Sequence, residues 1–191
     1  MARPLSPGKR NTLLAVATKV FANKGLSAST ASITGEAGFA EGTLFVYFKG
    51  KDDLINTLYA EIKLGLANAM LSDLPKSNSV ELQTKHIWNN YVEWGVKNPD
   101  QLALLHKIKV WEGLRPEVRD GTAARFAELH ELTEHAIKSG VFNDIPHDFF
   151  AAMLTAQAET TMQFMRKDAA NSDMFRDKGF EIFWNGITRK K

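Results

Sequence analysis

The chain has 191 residues, 44% of them hydrophobic, with a net charge of +2 and no cysteine. That supplies a core burying about 70% of the unfolded surface, in one domain or two, and it excludes disulfides and thiolate metal sites, as suits a reducing cytoplasm. No run approaches the roughly 18 apolar residues of a membrane span, and residues 1–10 lack the apolar centre of a secretory signal, so a cytoplasmic chain with no membrane partner is expected.

The periodicity predicts helices throughout, with no sustained period-two alternation. The first begins near Ser6-Pro7, where Ser6 can cap and Pro7 suits the first helical position. Its inward stripe is Leu13, Ala17, Val20 and Phe21, and Gly25 ends it. Ser29 or Thr30 caps a short second helix through about Ala37, with Ile33 and Ala37 facing inward and Gly38 as the stop. A third helix runs from about Glu41 to Phe48. Asp52 and Asp53 then open a fourth, favoured at the positive end of its dipole, which continues through Leu54, Leu58, Ile62 and Met70 to about Ser72.

Residues 74–79 read as a linker. Helices are predicted over about 79–97, with Ile87, Tyr91 and Trp94 on one stripe, and from Pro99 to about Glu112. Others follow over about 116–139, from Pro146 to about Lys167, and over about 172–188. The fold class is all-α, about nine helices in total, with three helices at the front.

The second and third helices, joined at Gly38, read as a helix-turn-helix, in which one short helix braces and the next enters a DNA major groove. Thr43 and Tyr47 are one turn apart and are expected to form the outward face, with Leu44 and Phe48 pointing inward. Their hydroxyls can reach phosphates or base edges. Gly42 keeps the helix entrance thin. Lys49 and Lys51 follow at once, and Lys51 with the start of the fourth helix makes a second phosphate site. Thr30 and Ser32 can do the same at the second helix. Glu41 can accept from a cytosine amino group, or simply repel phosphate and narrow the choice of operators. With Phe45 and Val46 on the same short helix, the expected DNA-binding set is Thr30, Ser32, Glu41, Gly42, Thr43, Phe45, Val46, Tyr47, Lys49 and Lys51. Residues 1–50 hold six basic and two acidic side chains, a balance of +4, and the remaining 18 basic and 20 acidic groups balance at −2. A polyanion partner at the front fits that asymmetry.

These residues carry a resemblance to the tetracycline-repressor (TetR) family of bacterial regulators. Phe21 to Gly25, Ser29 or Thr30, Ile33, Ala37-Gly38, Gly42-Thr43-Leu44, Tyr47-Phe48, Lys51 and Leu54 match the family pattern over about residues 9–58. The departures are Phe45 for a tyrosine, Thr34 for an alanine, Gly35 after it, Phe39-Ala40 for valine-serine, and Gly50 for a serine. The resemblance implies a helix-turn-helix domain over 1–50 and a connecting fourth helix over 51–73. It further implies a C-terminal effector-binding and dimerisation domain over 75–191. The function implied is a ligand-responsive transcriptional regulator, a repressor, bound as a homodimer to a palindromic double-stranded operator and released by a small-molecule effector. The alternative is a helical small-molecule-binding protein or enzyme without DNA binding.

The expected effector pocket draws on large residues, all but Phe126 with a polar tip: Trp88, Tyr91, Trp111, Phe126, His130 and Gln157. An apolar or aromatic effector fits such an interior. The expected dimer face uses small and apolar positions on the last two helices, Ala152, Ala156, Gly179, Ile182, Phe183 and Gly186, where helix backbones can approach closely. Ordinary core within one chain is the other reading of the same stripe. His130 and His135 stand at i and i+5, about 140° apart on a helix, whereas a shared metal needs i and i+4. No metal, cofactor or catalytic set is expected.

Overall fold

Proline and glycine mark several of the helix ends, among them Pro7, Gly25, Pro99, Pro116 and Pro146. The computed structural model describes residues 6–188, so Arg3, counted above among the basic groups, lies outside the described residues. Within them the chain is helical with no strand. The helices are α1 (Pro7–Lys24), α2 (Thr30–Glu36), α3 (Gly42–Tyr47), α4 (Lys51–Leu71), α5 (Val80–Lys97), α6 (Pro99–Lys109), α7 (Pro116–Ala123), α8 (Ala127–Lys138), α9 (His147–Lys167) and α10 (Ser172–Ile187).

Pro7 takes the first helical position of α1, but the Ser6 hydroxyl makes no capping bond. Ser29 does cap α2: its Oγ accepts from the Ser32 N–H at 3.1 Å. Such a cap contributes about 1 kcal/mol. Ser79 caps α5 in the same way, through the Leu82 N–H at 3.3 Å. The single helix expected over 116–139 is divided into α7 and α8 by a 3₁₀ turn at Ala124–Phe126.

The chain forms two compact units, one of residues up to Lys63 with Pro99–Thr122, the other of Leu64–Asn98 with residues from Ala123 onward. The boundary expected near residue 75 differs from this division. α6 and α7 belong with the first unit because α1 packs along α6. The break between α7 and α8 falls where the chain passes from the first unit to the second.

In the first unit, Leu13, Ala17, Val20 and Phe21 of α1 are buried together with Leu102, Leu104, Leu105 and Ile108 of α6. Each of these side chains other than Ala17 contributes about 1.5–3 kcal/mol of burial. In the second unit α9 packs against α5 and α10. The buried face of α5 is Trp88, Tyr91, Val92 and Gly95, whereas Ile87 and Trp94 of the expected stripe are only half-buried. Trp88 stacks on Phe183, ring centroids 5.3 Å apart, and its Nε1 donates to the Arg176 carbonyl at 3.1 Å.

Candidate nucleic-acid interface

Three short segments of the first unit build the candidate site. α2 ends at Gly38, whose φ of 71° is open to glycine without strain. The turn is closed by the Phe39 N–H donating to the Thr34 carbonyl at 2.8 Å. Thr34, fully buried, sends its hydroxyl back to the Thr30 and Ala31 carbonyls at 3.1 and 3.2 Å. A buried hydroxyl satisfied by its own helix explains how threonine is accommodated there. α3 starts without a side-chain cap, since Glu41 makes no such bond.

Leu44 and Phe48 are buried and seat α3 on the core, as expected. The outward face requires a correction. Thr43 and Tyr47 are half-buried and flank the core; the exposed positions are Glu41, Gly42, Phe45, Val46 and Lys49. Gly42, Phe45 and Val46 stand at i, i+3 and i+4, one face of the helix, and Lys49 follows beyond the extended residue Phe48 that ends it. The core direction set by Leu44 and Phe48 puts Val46, rather than Thr43, on the opposite side.

Of the remaining expected contacts, Thr30, Ser32 and Lys51 are half-buried at the starts of α2 and α4. The N-terminal end of α1 joins the same region. Lys9 Nζ lies 5.7 Å from the Phe39 ring centroid, and the Arg10 guanidinium lies 5.7 Å from that of Phe48. Arg10 is also paired to Glu61 at 2.6 Å, and Lys24 to Glu36. The Lys49 N–H donates to Asp53 Oδ2 at 3.1 Å, which ties the residue just beyond α3 to the first turn of α4. Asp53 Oδ1 in turn holds the Arg115 guanidinium at 3.2 Å. Nothing in the sequence around Arg115 signals that partnership.

The expected effector set is spread over both units. Trp111 lies in the first, against Gly113. The other five lie in the second. Trp88 is fully buried against Phe183. Tyr91 is buried, and its phenol is pushed up to about 12 by burial first and by the Glu159 carboxylate second, against a hydrogen bond with Thr155. Gln157 Oε1 is buried without a hydrogen-bond partner, an uncommon state for a buried acceptor. Phe126 is half-buried and His130 exposed. His130 meets His147 edge-on at 4.0 Å between ring centroids. Burial, and then His130, pushes the His147 pKa down.

Two of the residues expected at a dimer face belong to the core of their own chain. Phe183 is 1% exposed. A methyl group on Gly179 would stand against Thr161 and 2.9 Å from Trp88 Cζ2, so that glycine serves packing among α5, α9 and α10. Ala152, Ala156, Ile182 and Gly186 are exposed.

The family model described as bacterial regulatory proteins, tetR family, matches residues 13–58, which span α1, α2, α3 and the start of α4. A tetR family transcription regulator from Shewanella sp. PV-4 superposes with a TM-score of 0.84 at 23% identity, covering 95% of this chain and 99% of that one. A TetR family transcription regulator from Marinobacter aquaeolei VT8 gives 0.85 at 18% identity, covering 95% and 96%. The fatty acid degradation regulator FadR from Bacillus halodurans gives 0.71 at 18% identity, covering 95% and 97%. At these identities the likeness speaks for the fold.

Proposed function

We propose that this chain, a tetR-family protein by its residues 13–58 and by the fold of its whole length, is a cytoplasmic transcriptional repressor that grips a palindromic operator as a homodimer and lets go when a small-molecule effector binds. The observation that carries the DNA-binding part is the outward face of α3. A helix braced by two buried side chains, with Phe45 and Val46 bare and Lys49 beside them, has the form of a probe for a groove. Lys49, Lys51 and the hydroxyls of Thr30, Ser32, Thr43 and Tyr47 are the phosphate and sugar contacts, which set register without reading sequence.

The homodimer reading rests on the surface of the last two long helices. Phe149, Met153 and Phe164 of α9 and Met174 and Ile182 of α10 are all exposed, with Ala152, Ala156 and Gly186 among them. Bare apolar side chains at helical spacing favour a partner helix pair. Two copies present their α3 helices to successive major grooves when these are about 34–36 Å apart. The effector is an apolar or aromatic molecule bound in the second unit, and what supports it there is the unpartnered, buried Gln157 Oε1, which can accept from one polar group of such a ligand. Ligand and operator then oppose each other by the same factor in both directions.

The test is selection of duplexes from a random pool by the full chain, with sedimentation of the chain alone and with the recovered duplex. The reading predicts a two-fold symmetric sequence and a dimer on it. A monomer that enriches no sequence would remove it.

A further inference from the structure

We infer that Phe45 and Val46 read thymine, by contact with its C5-methyl group in the major groove; the inference rests on the DNA-binding reading above. Phe45 is 54% exposed and Val46 56% exposed. Isolated apolar side chains at a surface are ordinary. These two are adjacent on a six-residue helix, and the rest of their face is Gly42.

The chemistry of that helix narrows the choice of base. It carries no Arg, Asn or Gln, the side chains that pair two hydrogen bonds with guanine or adenine edges. Glu41 offers only acceptors, which suit the cytosine amino group. Thr43 and Tyr47, with hydroxyls, stand half-buried at the side of the face. What remains at its centre is apolar, and in the major groove thymine alone offers an apolar group, its methyl. A Cβ built on Gly42 meets nothing within 4 Å, so no packing inside the chain demands glycine there. Gly42 lies one turn before Val46, and its missing side chain leaves Val46 room to sit flush with a base edge.

The experiment exchanges thymine for deoxyuridine, one position at a time, in the duplex that the full chain selects. The exchange removes one methyl group from the DNA and leaves the protein untouched, so folding does not enter. The wild-type chain is expected to bind about fourfold more weakly for each methyl lost at a contacted position, one or two per half-site. The double variant Phe45→Ala with Val46→Ala is expected to be indifferent to the same exchanges. Selective binding that ignores every exchange, a selected sequence without thymine near the half-site centre, or methyl sensitivity that persists in the double variant would each overturn the inference. Absence of any selective DNA binding would instead overturn the functional reading on which it rests.

Discussion

The Arg115 backbone N–H donates to Asn56 Oδ1 at 2.9 Å, across 59 residues of sequence. Asn56 Nδ2 donates to the Gly113 carbonyl at 3.0 Å and to the Asp52 carbonyl at 2.8 Å, and the side chain is 1% exposed. One buried amide therefore satisfies two backbone polar groups of the turn between α6 and α7. Through Asp53, the same turn is linked to Lys49 at the end of α3.

Asn56→Leu leaves the Gly113 carbonyl and the Arg115 N–H without partners. A loss of about 2–3 kcal/mol is expected in urea unfolding. Arg115→Ala removes a partly exposed ion pair and should cost less than about 1 kcal/mol. Equal, small losses for the two variants would show that water takes over from Asn56.

Two glycines in helices should respond in opposite directions to alanine. A methyl group at Gly179 collides with Thr161 and Trp88, and Trp88 is itself fully buried. Overpacking of that kind costs about 1–3 kcal/mol. Gly65, exposed in α4, has nothing within 4 Å of a built Cβ. Gly65→Ala should stabilise by about 0.5–1 kcal/mol through helix propensity alone. Thermal midpoints that move the same way in both variants would contradict the packing assigned to Gly179.

Lys49, just beyond the end of α3, is exposed, and among the described residues its side chain forms no ion pair. Lys49→Ala should weaken binding about equally for matched and random duplexes. The slope of log affinity against log salt should fall by about 1 per protomer. A variant that lost sequence preference with an unchanged slope would place Lys49 on a base.

The Tyr91 phenol, pushed up to about 12, makes stability depend on pH on the alkaline side. The unfolded chain releases this proton near 10 while the folded chain keeps it. The contribution is fully present below pH 10 and is lost as pH rises through about 12. Absorbance titration should show a late tyrosine that Tyr91→Phe removes, and alkaline unfolding should begin at higher pH in that variant. On the acid side, His147 resists protonation in the folded chain, so stability should fall as pH drops below the usual histidine range.

Helix ends were legible in the sequence because their signals are local. Pro7, Gly25, Gly38, Pro99 and Gly140 act through their own backbone geometry, and the structure ends or starts helices beside each. Which face a helix turns inward was less legible. α3 has six residues, under two turns, and its two anchors Leu44 and Phe48 leave the flanks ambiguous: spacing turns Thr43 and Tyr47 outward with Phe45 and Val46 beside them, whereas Phe45 and Val46 are the more exposed pair. Partner choice was not legible at all. The small residue Gly179 suits a close helix neighbour equally well within a chain or between chains, and only the position of Trp88 decides. Asn56 did carry a signal, an amide set between Leu54-Ile55 and Leu58, but Gly113 and Arg115 lie too far along the chain for spacing to name them.

The most direct test of the central claim places a carboxylate at the middle of the α3 face. Val46 is bare, so Val46→Glu should leave the fold intact. Fluorescence anisotropy of the selected duplex, at stepped salt, should show tight binding by the wild-type chain that weakens steeply as salt rises. The variant should bind roughly 100-fold more weakly, since a buried like charge at an interface costs several kcal/mol. Equal affinity of the two proteins, or wild-type binding that salt does not touch, would contradict the assignment of α3 to the groove.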